Sequence, residues 1–236
     1  MPSVIFPSTQ RGTKDIGWLK SNFTFSFSSF YHPLKTGFGL LRTFNDDFVE
    51  AGKGFGLHPH TNMEIISIML NGKMNHKDSM GFSDVVETDW VQIMSAGKGL
   101  KHEEFNVGED TVNFLQIWIE PKLQNVEPRY QRRYFPADKR KNKLQTVVSN
   151  EEGQEHCWIN QNAKISLGFF DEGKQFTYSL NPLNKSVFIF SMEGELQVNG
   201  EKVIQRDAIG LWETPSIEIT TNTESKFIII ETPVNH

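Results

Sequence analysis

The chain has 236 residues, of which 37% are hydrophobic and 22% charged, with a formal net charge of −5. That balance excludes a disordered or low-complexity chain and offers no basic field for nucleic acid or an anionic membrane. A single cysteine, Cys157, rules out an intramolecular disulfide and fits a reducing compartment, and no apolar run reaches the roughly 18 residues of a membrane span, so a soluble, cytoplasmic monomer is expected.

Taken in chain order, the opening MPSVIFPSTQRG is polar and broken by proline. FTFSFSSF then alternates with period two through Phe23, Phe25 and Phe27, and GFGLLRTF follows a Pro-Leu-Lys-Thr-Gly turn. Residues 54–72, GFGLHPHTNMEIISIMLNG, read as one long strand entered by His58 and His60. At its end Asn71-Gly72 has the composition of a hairpin turn, whose positive φ angles suit both residues. DWVQIMSAG and NFLQIWIEP are further strands. Between residues 123 and 145 the text turns polar, basic and proline-punctuated, which predicts a linker between two halves. Its Arg129, Arg132 and Arg133 suit an inter-domain clamp or a solvated surface better than a phosphate site. Strands resume with AKISLGFF, QFTYSL, SVFIFSMEGELQVNGEKV, RDAIGLW, SIEITT and KFIIIETP, and Asn199-Gly200 marks another hairpin. Helical periodicity is nearly absent, so the expected fold is all-β, in two barrel or jelly-roll units. SIMLNGKMNHKD and FIFSMEGELQVNG share a strand, turn, glycine, strand pattern that agrees with two copies of one fold.

Residues i, i+2 and i+4 of a strand point the same way, so His58, His60 and Glu64 would share a side with Ile66, Ile68 and Leu70. SAGKGLKHEEFN places His102 and Glu104 in the same relation, after Gly97 and Gly99. A His-x-His pair alone is a weak signal. Two same-face pairs beside glycine turns supply three imidazoles and a carboxylate, the donor set of a divalent transition metal. Ordinary core histidines would leave Glu104 uncompensated inside a barrel, at a cost of roughly 3–5 kcal/mol. Ordinary surface histidines would expose Ile66, Ile68 and Leu70 with them. Glu103 has the opposite parity and falls outside. No histidine lies between Cys157 and His236, so no second site is expected. His76 has inward parity but is expected to stand apart from the ligands, and His32, His156 and His236 lie in polar, loop-like text. Gln116 suits either an amide that orients a ligand or a plain hydrogen-bonder at the core edge. Met63, Met69 and Met94 read as packing rather than pocket lining.

HPHTNMEIISIMLNG, HKDSMG, QIMSAGKGLKHEEFN, LQIWI and PRYQRRYF together resemble the pirin family of bicupins, and in particular its bacterial quercetin 2,3-dioxygenase-like members. The likeness runs from GWLKSNFTFSFSSFYHP to the last strand. It implies two cupin barrels face to face: residues 1–135 with a metal site, and 136–236 without ligands. It also implies His58, His60, His102 and Glu104 as the ligands, whereas the general cupin pattern would place Glu64 among them. The implied chemistry is cleavage of a flavonol such as quercetin by dioxygen with loss of carbon monoxide, Glu104 taking the proton of the 3-hydroxyl. Iron(II) is the first expectation for the metal, with manganese, cobalt, nickel, copper and zinc compatible with the donors. The alternatives are a non-catalytic iron-binding redox sensor that engages a protein partner, and a cupin enzyme for another phenolic compound.

Overall fold

The computed structural model describes residues 2–234, and its regular elements are strands apart from short 3-10 turns at Ser8–Gln10 and Ala137–Arg140. The first half contributes β1 (Ser3–Phe6), β2 (Gly12–Asp15), β3 (Leu19–Phe23), β4 (Leu41–Val49), β5 (Gly54–His60), β6 (Glu64–Asn71), β7 (Lys73–Asp78), β8 (Ser83–Glu87), β9 (Trp90–Ser95), β10 (Leu100–Asn106), β11 (Val112–Ile119) and β12 (Arg129–Tyr134). The second contributes β13 (Lys143–Ser149), β14 (Cys157–Trp158), β15 (Lys164–Phe170), β16 (Gln175–Ser179), β17 (Ser186–Glu193), β18 (Leu196–Val198), β19 (Glu201–Val203), β20 (Ala208–Trp212), β21 (Ser216–Thr221) and β22 (Ser225–Thr232).

These strands form one architecture twice. A seven-stranded sheet in the order β12-β9-β6-β11-β4-β3-β2 goes with a four-stranded sheet β5-β10-β7-β8. The second pair, β1-β20-β17-β22-β15-β13-β14 with β16-β21-β18-β19, repeats that order except at the far edge, where β14 runs parallel to β13 while β2 is antiparallel to β3. The faint internal likeness in the sequence therefore reflects a real structural duplication. Its edge strands are exchanged, because β1 lies beside β20 in the place that β12 takes beside β9. The chain passes from the first-half sheet to the second between Tyr134 and Lys143.

The two large sheets pack against each other, which explains why their strands read as continuous apolar runs rather than alternating ones. Ile66 and Ile68 face the second half and join a core that includes Phe188, Phe190, Ile228 and Ile230. Their neighbours Ile65 and Met69 turn into the first barrel instead. Phe44 sits with its ring centroid 4.9 Å from Phe188 and 4.8 Å from Phe190. Each such fully buried side chain contributes about 1.5–3 kcal/mol over its exposed state. An ion pair also crosses the seam, Arg206 to Asp46 at 3.1 Å, with Arg11 3.7 Å from the same carboxylate.

Four local expectations are corrected. Residues 54–72 are two strands, not one: Asn62 adopts a left-handed φ of 49°, after which the chain leaves the small sheet for the large one. Asn71-Gly72 is a corner rather than a hairpin, since β6 and β7 belong to different sheets, whereas Asn199-Gly200 does join the paired β18 and β19. The Phe23–Phe27 alternation stops at Phe23. Ser28 takes a φ of 53° in a tight loop that lays Phe27 edge-on to Trp118 at 5.3 Å. The expected linker holds β12, paired antiparallel to β9. Its polar side chains find partners there: Arg132 lies over Trp90 and bonds Asp84 at 2.8 Å, and the Tyr130 hydroxyl donates to Gln92. The clamp expectation holds for part of this segment, because Arg129 covers the Trp158 ring at 4.4 Å and Gln131 accepts from the Trp158 amide.

Candidate metal centre

The small sheet of the first half builds the site. On β10, His102 lies opposite His58 of β5 and Asp78 of β7, and Glu104 lies opposite Phe55 and His76. Between these rows β5 carries a bulge, so that Gly56 and Leu57 together face Glu103. Gly54 is required at the next step, because a Cβ there would collide with the Glu104 carbonyl oxygen. With no side chain in the way, β5 closes onto β10 and the imidazoles meet. The nitrogens of His58, His60 and His102 all lie within 4.8 Å of one another, and so do the donor atoms of His76, His102 and Glu104.

Hydrogen bonds hold this cluster in place. His58 Nδ1 donates to the Gly56 carbonyl at 2.7 Å, which leaves Nε2 with a lone pair aimed at His102 Nε2, 3.0 Å away. That separation suits two nitrogens on one ion, each about 2.0–2.1 Å from it. Glu104 is buried; it accepts from Gln92 Nε2 at 2.8 Å and, at a long 3.5 Å, from Gln116 Nε2. Gln92 accepts in turn from the Tyr130 hydroxyl, and Gln116 from the Ser67 hydroxyl. Burial, reinforced by the neighbouring imidazoles, lowers the pKa of His60 to about 4 and that of His102 to about 3. Both are therefore neutral ligands near pH 7. Burial raises the Glu104 pKa, and the surrounding imidazoles and the Gln92 bond oppose the rise. A divalent cation fits this donor set and would hold the carboxylate ionised.

Glu64 stands elsewhere. It shares a side with Ile66 and Ile68 as expected, but that side faces the second half, where Glu64 accepts from Ser95 Oγ at 2.7 Å and from the Asn160 amide at 3.2 Å. Glu103 points outward, 3.8 Å from the Lys77 ammonium. His76, expected apart, is buried against His102 and stacked on Tyr130 at 4.4 Å. The signal that could have found it is its own i, i+2 partner Asp78 in NHKD, a third same-face pair. Gln116 touches Glu104. Met69 and Met94 belong to packing clusters, with Met63 packed against one of them. His32 is exposed, His156 is half-buried against the Glu151 carbonyl, and His236 lies outside the described residues.

A cavity of about 480 Å³ opens onto His58, His60 and Glu104. Trp18, Phe23, Phe27, Phe55 and Trp118 wall it, and Ser21, Asn45, Asp47 and Gln116 give it a polar side. Burial pushes the Asp47 pKa up to about 7. The folded chain therefore holds a proton that the unfolded chain releases near pH 4. The stability this contributes is complete below pH 4 and is lost as pH rises through 7. Asp47→Asn should accordingly gain stability over the parent as pH rises from 5 to 8, by up to about 2.7 kcal/mol for the two pKa units that separate pH 5 from the folded value. Denaturant melts of both apoproteins at pH 5, 6.5 and 8 would test this, and a pH-independent difference would contradict it.

Among the described residues, the second half shows no counterpart to the cluster. Ile217 lies opposite Tyr178, and Ile219 opposite Phe176 and Val198, the positions that match His102, His58, Glu104, Phe55 and His76. Tyr178, Val198, Ile217 and Ile219 belong to that barrel's apolar core.

Comparison with known proteins agrees with this architecture. The family model described as Pirin matches residues 6–119, and that of the quercetinase C-terminal cupin domain matches residues 146–232. The chain is 34% identical over 227 residues to quercetin 2,3-dioxygenase of Escherichia coli K12, covering 96% of each. It is 33% identical over 226 residues to a pirin-like protein of Caulobacter vibrioides, covering 95% of this chain and 97% of that one. Among solved structures, YhhW of Escherichia coli superposes with a TM-score of 0.94 at 33% identity, covering 100% of this chain and 99% of the other. The same bacterial pirin in complex with nickel(II) gives 0.93 at 32% identity, covering 99% and 100%.

Proposed function

This chain belongs to the pirin family, and from that premise we propose that it is a metal-dependent dioxygenase that cleaves a flavonol such as quercetin with dioxygen and releases carbon monoxide. The observation that carries the reading is the meeting of neutral imidazoles and the buried Glu104 carboxylate at one end of an aromatic-walled cavity. The E. coli relative named quercetin 2,3-dioxygenase supports the substrate class, and the nickel(II) complex of a bacterial pirin supports a divalent transition metal. We assign His58, His60, His102 and Glu104 as the ligands and iron(II) as the metal. When bound, the ion supplies Lewis acidity toward a phenolic oxygen and a centre for oxygen chemistry.

The chain's own residues do the rest. Glu104, whose pKa burial raises, accepts the proton of the flavonol 3-hydroxyl and can hold it in a dry site. Gln92 and Gln116 fix the carboxylate's orientation, so that little reorganisation accompanies the transfer. Trp18, Phe27, Phe55 and Trp118 offer faces and edges to a flat aromatic ligand and exclude water.

The test is optical. Flavonol bound anaerobically should shift to the longer-wavelength absorption of its deprotonated form, and admitting oxygen should bleach that band with release of carbon monoxide. A complex that persists in air would instead favour the sensor reading. Elemental analysis is expected to return one tightly held ion per chain, because the second barrel fills the equivalent positions with Tyr178, Val198, Ile217 and Ile219; two tight ions would contradict the assignment.

A further inference from the structure

Two side chains behind the cluster, His76 and Asp78, have no part in the chemistry above, yet their side chains are only 1% and 0% exposed. His76 Nε2 lies 2.9 Å from Asp78 Oδ2, and His76 Nδ1 lies 3.4 Å from His102 Nδ1. Asp78 is itself held by the amides of Met80 and Phe82, which donate to its other oxygen at 2.9 and 3.1 Å. Tyr130 stacks on the His76 ring with planes 15° apart, so the ring cannot swing away.

A carboxylate oxygen only accepts, which places a proton on His76 Nε2; in the neutral ring Nδ1 then keeps a lone pair. His102 Nδ1 lies 3.4 Å in front of that lone pair and is then the donor in this long contact. A neutral imidazole carries one proton, so His102 Nε2 is left bare. It then faces His58 Nε2, itself bare because its Nδ1 donates to Gly56. Two lone pairs facing each other at 3.0 Å repel unless a cation lies between them. Hydrogen-bonded partners of this kind commonly set the tautomer of a metal-binding histidine.

We propose that Asp78 and His76 are positioning residues that form a two-step tautomer relay, holding His102 with its Nε2 lone pair turned toward the metal position before any metal arrives. The inference rests on the metal reading of the site, and it adds that the donor set is pre-set by second-row side chains. Its consequence is specific to one atom. Asp78→Asn is nearly isosteric and keeps an oxygen for the Met80 and Phe82 amides, but it presents an N–H to His76 Nε2. The proton on His76 then moves to Nδ1, His102 Nδ1 becomes the acceptor, and its proton moves to Nε2, where it blocks the ligand position.

The experiment has two readouts on the intact chain. Apoprotein prepared with a chelator is titrated with nickel(II) by calorimetry, for the parent and for Asp78→Asn. The expected result is binding about 10–100-fold weaker in the variant, the usual scale for losing such a partner. Histidine-selective ¹⁵N labelling at pH 8 then reads tautomers directly in the apoproteins. The parent should show His76 protonated on Nε2 and His102 on Nδ1, and the variant should show both reversed. A parent His102 protonated on Nε2, a doubly protonated His76, or a folded variant with unchanged tautomers and nickel affinity within twofold would each overturn the relay. If Asp78→Asn does not fold, the parent tautomers still decide. If the parent shows the expected tautomers but takes up no nickel, the relay stands and the metal reading of the site fails.

Discussion

His102→Ala is expected to abolish metal retention and, with it, flavonol consumption, while leaving the barrel folded. His102 joins both donor groups: its Nε2 faces His58 and its Nδ1 faces His76, and it lies on the same strand as Glu104. Removing it takes away one nitrogen and also the contact through which Asp78 and His76 act on the site. Groups that act directly on the reacting atoms typically cost 10²–10³-fold or more when deleted, so a loss of roughly 10³-fold or greater in turnover is expected. The fold should survive, because β10 is held to β5 and β7 by main-chain bonds that the substitution leaves intact. The gap left among polar neighbours can take up water. The measurement pairs metal content and aerobic flavonol loss with a melting curve. A folded variant that consumed flavonol at the parent rate would defeat the dioxygenase reading.

Glu104→Gln and Glu103→Gln should differ by about two to four orders of magnitude in turnover, the range in which a positioned proton acceptor contributes. The two residues are adjacent in sequence but face opposite sides of β10. Glu104 is 3% exposed and bonded to Gln92, whereas Glu103 is half-exposed and 3.8 Å from a lysine. The amide in Glu104→Gln keeps an oxygen for Gln92 but has no basic site for the 3-hydroxyl proton. Flavonol bound to that variant should therefore keep the short-wavelength absorption of its neutral form, and oxygen should leave it unchanged. Glu103→Gln should retain parent activity within about twofold, since an exposed pair of this kind contributes less than 1 kcal/mol. Equal losses in the two variants would mean that the proton goes elsewhere.

Much of this was legible in the sequence because a strand has a period of two. The many short apolar stretches, the alternation begun in FTFSFSSF and the near absence of helical spacing pointed to an all-β chain, and the structure is one. The same period placed His58 with His60, and His102 with Glu104, and it turned Glu103 outward. All three relations are local and hold within single strands. In the second half, which the sequence leaves without clustered histidines, Tyr178, Val198, Ile217 and Ile219 belong to an apolar core.

Tertiary structure decided what parity cannot express, namely which sheet a strand joins and what lies on each side of it. Glu64 has the side that parity gave it, yet one left-handed residue at Asn62 moves its strand into the large sheet, so that side meets Asn160 of the second half instead of the imidazoles. His76 and Asp78 enter the site only because β7 pairs with β10, an alignment set by main-chain pairings such as His102 with Asp78 and Glu104 with His76, between segments distant in sequence. Ser3–Phe6 completes a sheet about 200 residues away along the chain, and the polar Arg129–Tyr134 becomes a strand because Trp90, Gln92 and Asp84 offer its side chains partners. The sequence by itself determined the strand character and the face of each candidate ligand, because both follow from neighbours two residues apart. The choice among faces depended on pairings between distant segments, whose hydrogen bonds and buried apolar surface exist only once the chain has folded.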